Sequence, residues 1–125
     1  EEKGFSSLEL IFNSAAPVGD RCVCGTRGWF YDAESDQDKK VLNREVGRLT
    51  ASIEAGLKTG LEPVVFLHYP PVYHGEVLKK YGIQRCYYGH IHGSGAKYAE
   101  TGEFQGIQLR LIACDYTGFR PVLIR

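Results

Sequence analysis

The sequence has no excess of charge of either sign and no long hydrophobic run. Lysine plus arginine and aspartate plus glutamate both number 15, so the formal net charge is zero with neutral histidines. A nucleic-acid-binding surface needs a basic face, and this balance argues against one. The apolar runs have the length of strands, far below the ~20 residues of a membrane-spanning helix. Since no signal peptide is visible either, we expect a cytoplasmic protein that does not bind membranes.

Methionine is absent from all 125 residues, and the chain begins with two glutamates. Both facts indicate a processed or truncated piece of a longer protein. A chain of this length is expected to form one domain.

The spacing of the cysteines does not favour redox chemistry. The chain contains Cys22, Cys24, Cys86 and Cys114, all in runs typical of strands. Free cysteine is among the most buried residue types, so we predict four reduced thiols in the core. A redox or zinc role for Cys22 and Cys24 is the weaker interpretation, because both usually use wider spacings.

Hydrophobic periodicity predicts an α/β fold, with a mixed β-sheet or sheets flanked by helices. The predicted strands cover residues 8–13, 21–25, 63–68, 84–88, 107–114 and 121–124, and a short helix covers 76–81. Gly19-Asp20 is interpreted as a hairpin turn between two strands.

A long helix is predicted before Gly60. Ser35 and Asp38 have the spacing of a capping box at its start, and Gly60 is suited to end it. Apolar residues at steps of three and four predict its buried face, which comprises Leu42, Val46, Leu49, Ile53 and Leu57.

Three histidines follow apolar runs in a pattern typical of a metal site. His68 ends the run 63–67, while His90 and His92 follow the run 85–88 and stand between glycines. Ligands of open α/β sheets gather at the carboxyl ends of strands, and neutral imidazole is the commonest protein metal ligand. We therefore predict that His68, His90 and His92 form one wall of a metal site.

These motifs resemble those of the calcineurin-like metallophosphoesterases. The matching pieces are the strand histidine at 66–71, the Gly-His-Ile-His of residues 89–92, and a Cys-Gly-Thr-Arg-Gly-Trp segment at 24–29 typical of a bacterial branch. The resemblance extends from about Leu10 to the end of the chain. It implies that residues 1–125 are the C-terminal portion of a four-layer αββα sandwich whose N-terminal metal-binding half is absent.

The resemblance also implies sequence blocks that this chain does not contain. Such enzymes bind two metals with five blocks, and the first three are Asp-x-His, Gly-Asp and Gly-Asn-His. No Asp-x-His occurs, and neither Asn13 nor Asn43 stands next to a histidine. Gly19-Asp20 superficially matches the second block, but no upstream block precedes it and a hairpin turn is strongly preferred. The full-length protein is therefore expected to be a phosphoesterase, whereas this chain is expected to contain no catalytic residue and to be inactive alone.

The resemblance assigns roles to individual residues. His68 and His90 would bind one divalent cation and His92 the other, with manganese, iron or zinc in the full-length protein and at most partial occupancy here. Two such cations activate a water and clamp the reacting oxygens of a phosphate ester. Arg27 and Tyr69 are candidate contacts for this small-molecule substrate. Arg27 is equally suited to ordering its own loop, and strand-end packing is favoured for Tyr69.

Several alternatives remain open at this point. One alternative is that the chain is a stand-alone metal-binding module, in which His68, His90 and His92 hold one cation without catalysis. His74 is interpreted as a surface residue, Trp29 as a packing anchor, and Asp115 either as support for a ligand or as a turn residue. Half of a sandwich leaves strand edges uncovered, so we also expect self-association through sheet edges.

Overall fold

In the computed structural model, which describes residues 4–29, 34–99 and 101–124, strands and helices alternate along the chain. The strands are β1 (Ala15–Val18), β2 (Arg21–Thr26), β3 (Glu62–Leu67), β4 (Arg85–Tyr88), β5 (Gly102–Phe104) and β6 (Ile107–Leu111). The helices are α1 (Asp36–Leu57) and α2 (Gly75–Lys80), and a 3₁₀ helix spans Gly93–Tyr98.

The strands form one mixed sheet in the order β1-β2-β3-β4-β6-β5. The four central strands β2, β3, β4 and β6 run parallel. The outer strands β1 and β5 are antiparallel to their neighbours. This topology confirms the predicted α/β class with mixed strand directions.

The register of the parallel strands brings their carboxyl ends to one level. Thr26 of β2 pairs with Leu67 of β3, Leu67 with Tyr88 of β4, and Tyr88 with Leu111 of β6. The loops that follow these four strands therefore begin side by side at the same edge of the sheet, where open α/β folds place their ligands.

One face of the sheet forms the core with both helices. Leu49 and Ile53 of α1 are fully buried, as are Cys22 and Cys24 of β2 and Leu78 of α2. Burial of such apolar side chains is the main favourable contribution to folding.

The buried stripe of α1 differs from the predicted one. It consists of Glu45, Leu49, Ser52, Ile53 and Gly56. Leu57, predicted to be buried, is 41% exposed, so the prediction was wrong at that residue. The stripe is shifted because small residues bring the helix close to β2: a Cβ on Gly56 would lie 2.5 Å from Cys24 Sγ.

Ser52 and the N-terminal cap fix α1 at two points. The Ser52 hydroxyl accepts the Gly25 N–H at 2.9 Å and donates to the Ser14 carbonyl at 2.6 Å. The predicted capping box is confirmed, since the Ser35 side chain accepts the Asp38 N–H and the Asp38 carboxylate accepts the Ser35 N–H. These bonds satisfy backbone donors that otherwise lack partners.

Two predicted strands at the ends of the chain are wrong. Residues 8–13 and 121–124 lie outside the strands of the described chain, and the first strand is Ala15–Val18. The alternating apolar residues Leu8, Leu10 and Phe12 are 67–85% exposed. Alternation predicts a strand only where another strand is available for pairing, and both segments lie outside the sheet. The other predicted strands, the short helix and the Gly19-Asp20 turn are present.

The four cysteines are free thiols, as predicted, but they do not share one environment. Burial raises the pKa of Cys86 to about 12. Burial, followed by the neighbouring Cys22, raises the pKa of Cys24 to about 12. Cys114 is exposed, so its predicted core position was wrong. The reason is that β6 ends at Leu111, three residues before this thiol.

No helix in the described ranges is both long and apolar enough to cross a membrane.

Substitution of Gly56 by alanine tests the close contact between α1 and β2. The added methyl group would meet Cys24 Sγ at 2.5 Å and Cys22 Sγ at 2.9 Å. Overpacking of this kind destabilises a fold by about 1–3 kcal/mol. The matched control is Gly47→Ala, because a Cβ there meets no atom within 4 Å. Alanine in an exposed helix is favoured over glycine by up to about 1 kcal/mol.

Urea unfolding of both variants measures this difference. We expect a lower free energy of unfolding for G56A and a higher one for G47A. Equal stabilisation by both substitutions would show that Gly56 of α1 does not pack directly against Cys22 and Cys24 of β2.

Candidate metal centre

Backbone hydrogen bonds hold the loops at the carboxyl edge of the sheet together. The His68 N–H donates to the Arg27 carbonyl at 3.1 Å, and the Gly89 N–H donates to the His68 carbonyl at 3.1 Å. On the far side, the Ile112 N–H donates to the Tyr88 carbonyl at 2.8 Å. The ladder therefore continues past the strand ends, and it fixes the positions from which the candidate ligands extend.

His68 and His90 face each other across this edge. His90 Nδ1 lies 3.2 Å from His68 Nε2, and the ring planes are inclined by 70°. His90 has a φ of 70°, a left-handed conformation that is uncommon outside glycine. The chain thus turns sharply at His90, directly after Gly89, and its ring meets that of His68.

The spacing of this pair fits one metal ion. Two imidazole nitrogens that each bind a tetrahedral zinc ion at ~2.05 Å lie about 3.3 Å apart. The separation of 3.2 Å between His68 Nε2 and His90 Nδ1 agrees with this value. The donor set also suits nickel and copper, since imidazole binds all three metals.

His92 lies beside the pair and is held by Asp115. His92 Nδ1 is 2.9 Å from Asp115 Oδ1, while Asp115 Oδ2 accepts the Gly93 N–H at 2.7 Å. With Nδ1 donating to the carboxylate, His92 Nε2 is left as the nitrogen that can bind a cation. Carboxylates that orient a histidine in this way also raise its basicity as a ligand.

Asp115 combines the two roles that the sequence left open. It contacts a candidate ligand, and its Oδ1 also accepts the Tyr116 N–H at 3.0 Å within its own turn. The Gly93 N–H and then the His92 ring hold the pKa of Asp115 below its ordinary value. Its carboxylate is therefore ionised at neutral pH. Ligand atoms of His92, Cys114 and Asp115 lie within 4.8 Å of one another, although all three side chains are exposed.

The three imidazoles interact electrostatically. Partial burial lowers the pKa of His90, and the neighbouring His68 and His92 lower it further. His90 is therefore neutral at physiological pH, which is the state that binds metals. The sequence-predicted ligands thus share one edge of the sheet, and His68 and His90 are in contact. The three do not form one compact cluster, because the described ligand atoms close to His92 are those of Cys114 and Asp115.

Tyr69 forms an aromatic wall against the histidine pair. Its ring centroid lies 4.7 Å from that of His68 and 4.6 Å from that of His90. Trp29 packs edge-on against Tyr69 at 6.4 Å, which agrees with its interpretation as a packing anchor. Tyr69 therefore packs at the strand end and borders the site at the same time.

Arg27 is bound to a buried glutamate that the sequence analysis missed. Glu45 of α1 is fully buried, and it accepts from Arg27 at 3.4 Å, Arg48 at 2.8 Å and the Thr26 hydroxyl at 2.9 Å. These contacts support the loop-ordering role of Arg27, whose side chain remains 47% exposed. The position of Glu45, four residues before the buried Leu49, was the available signal.

His74 is buried, so its prediction as a surface residue was wrong. It is fully inaccessible, and neither ring nitrogen has a hydrogen-bond partner among the described residues. Burial lowers the pKa of His74, although nearby Glu45 opposes this effect. The reason for its burial is the turn before α2, where the His74 N–H donates to the Pro71 carbonyl and the ring packs near Gly28.

Comparisons with protein-family models, with curated proteins and with solved structures found no match for this chain. The interpretation of the site therefore depends on its own geometry.

Replacement of His74 by leucine should flatten the dependence of stability on pH. The folded-state pKa of His74 is lowered, so below about pH 6.5 the unfolded chain binds a proton that the folded protein rejects. The stability that the protein has while His74 is neutral is therefore fully present above the pKa of His74 in the unfolded chain. It is lost as the pH falls through the lower pKa of His74 in the folded protein. The limiting slope is about 1.4 kcal/mol per pH unit.

Urea unfolding of the wild type and of H74L between about pH 7.5 and about pH 5 measures this loss. His74→Gln is the control for packing, since it also cannot titrate but keeps a buried polar group. Both variants should lose less stability on acidification than the wild type. An unchanged slope in both would show that His74 is not a source of acid sensitivity.

Proposed function

We propose that this chain is the C-terminal part of a dinuclear metal-dependent phosphoesterase. In this proposal His68 and His90 bind one divalent cation, and His92 binds the second. The observation that supports it most is the 3.2 Å separation of His68 Nε2 and His90 Nδ1, with His92 on the same edge of the sheet. Manganese, iron and zinc are the candidate cations.

The chemistry of the site fits hydrolysis of phosphate monoesters or diesters. A bound pair of cations supplies an activated water and neutralises charge on the phosphoryl oxygens. The residues of this chain hold and orient the ligands: Asp115 fixes the ring of His92, and Tyr69 packs against the rings of His68 and His90. Arg27, half exposed on a neighbouring loop, is the proposed contact for the substrate phosphate.

We propose further that the sheet is half of a four-layer αββα sandwich. The sheet face opposite α1 has Phe66 stacked on Tyr87 at 5.2 Å, an apolar surface suited to a second sheet. The remaining metal ligands, chiefly carboxylates, would come from a longer protein. Self-association through sheet edges stays a prediction, although the edge strands β1 and β5 have only four and three residues, and short edges limit such pairing.

A stand-alone metal-binding module is the second candidate function. It is favoured by the contact between His68 and His90 within this chain, since these two nitrogens have the spacing that one cation needs. Such a module would bind one cation at His68 and His90 without catalysis.

Alanine variants of His68 and His90 test the metal centre. Each substitution removes one of two nitrogens that would share a cation, so zinc affinity should fall at least about tenfold in either variant. Isothermal titration calorimetry provides the measurement. His74→Leu is the matched control, because it removes the one histidine that lies outside the site and should leave zinc binding unchanged. Equal zinc affinity in the wild type and both alanine variants would refute the shared site.

Hydrolysis of an aryl phosphate with manganese distinguishes the two candidate functions. This chain alone should show no turnover, because the proposed catalytic pair of cations lacks part of its ligands. A longer chain that supplies Asp-x-His, Gly-Asp and Gly-Asn-His blocks should be active, and H90A in that chain should abolish the activity. Metal-dependent turnover by the short chain would contradict the proposal that it contains only part of the metal ligands. Inactivity of the longer chain would favour the stand-alone binding module.

A further inference from the structure

An arginine-lined cavity opens on the sheet face that points away from α1. Its volume is about 980 Å³, and Arg85, Arg110 and Arg120 contribute to its walls. Arg85 of β4 alternates with the buried Cys86, and Arg110 of β6 alternates with the buried Leu109. Because successive side chains of a strand point to opposite faces, both arginines extend from the face opposite the core.

None of these arginines forms an ion pair within the described part of the chain. Arg85 Nη1 is moreover shielded from solvent and has no hydrogen-bond partner. A buried guanidinium N–H without an acceptor is unfavourable. This cavity therefore contains an unsatisfied donor as well as uncompensated positive charge.

The surroundings of the cavity do not neutralise this charge. The described residues that line it include no carboxylate. Glu103 lies opposite Gln108 on the same side of the sheet, but it forms no ion pair with the three arginines. Like charges on neighbouring strands repel each other, so a bound anion would stabilise this arrangement.

We propose that this cavity binds a small organic phosphate. A guanidinium matches phosphate oxygens with paired hydrogen bonds, and three arginines favour a dianionic phosphate over a singly charged carboxylate. The cavity is far larger than a phosphate group and lies within the range of ligand pockets, about 300–1,000 Å³. The rest of its wall includes Pro121, Val122 and Leu123, which suits an apolar or aromatic moiety attached to the phosphate.

The proposed site is separate from the histidines. Arg85 begins β4, whereas His90 follows the end of that strand. Binding at the arginines needs no metal. The cavity lies on the sheet face to which the proposed sandwich assigns a second sheet, so phosphate binding there would also show that this face is uncovered in the intact chain.

Titration calorimetry with phenyl phosphate, in buffer that contains a chelator, tests the site in the intact chain. The wild type should bind phenyl phosphate more tightly than inorganic phosphate or benzoate. Loss of a charged hydrogen-bond donor in R85Q or R110Q should weaken binding by about tenfold or more. Arg44→Gln is the matched control, since it removes an exposed arginine of α1 that lies outside the cavity.

Two further variants test whether binding depends on charge near the arginines and whether the ligand binds at the arginines or at the histidines. Glu103→Gln should strengthen phenyl phosphate binding, because it removes a negative charge from β5, the strand that contributes Gly102 to the cavity wall. His90→Ala should leave the affinity unchanged if the ligand binds at the arginines. Arg110 is exposed, so R110Q is expected to fold even if R85Q does not, and circular dichroism of each variant checks this.

Three results would overturn the proposal. The first is absence of phenyl phosphate binding to the folded wild type, and the second is an unchanged affinity in R110Q. The third is benzoate binding as tight as phenyl phosphate, which would show that the cavity does not prefer phosphate.

Discussion

The parallel register of β2, β3, β4 and β6 is the constraint on which the candidate site depends. Pairing of Thr26, Leu67, Tyr88 and Leu111 in one row makes the following loops start at the same level. A shift of one residue in β4 would turn each of its side chains to the other face of the sheet. Tyr88 would leave the core, and the loop that contains His90 would no longer meet the end of β3.

Helix α1 links the core to the rim of the site. Gly56 and Ser52 bring the helix into close contact with β2. About two turns before Ser52 and about three turns before Gly56, the same stripe carries Glu45, which accepts a hydrogen bond from Arg27. Close packing transmits such constraints, because interiors have few voids in which to adjust. The position of the loop after β2 therefore follows from how tightly α1 packs on that strand.

Local charge in this molecule differs from its overall balance. The formal net charge is zero, yet the three arginines that line one cavity have no ion-pair partner among the described residues, while Asp115 and His92 pair at the carboxyl edge. Composition alone argues against a large basic surface for nucleic acid. It is silent on small anion sites, since strand alternation and register decide which charged side chains become neighbours.

The sequence by itself determined the features that depend on neighbouring residues. Periodicity predicted α1 and the central strands, the spacing of Ser35 and Asp38 predicted the cap, and the apolar runs predicted histidines at strand ends. Only the tertiary structure decided the burial of His74 and the pairing of His92 with Asp115, 23 residues away. The physical reason is that these features arise from contacts between distant segments, whose partners are set by the order and register of the strands.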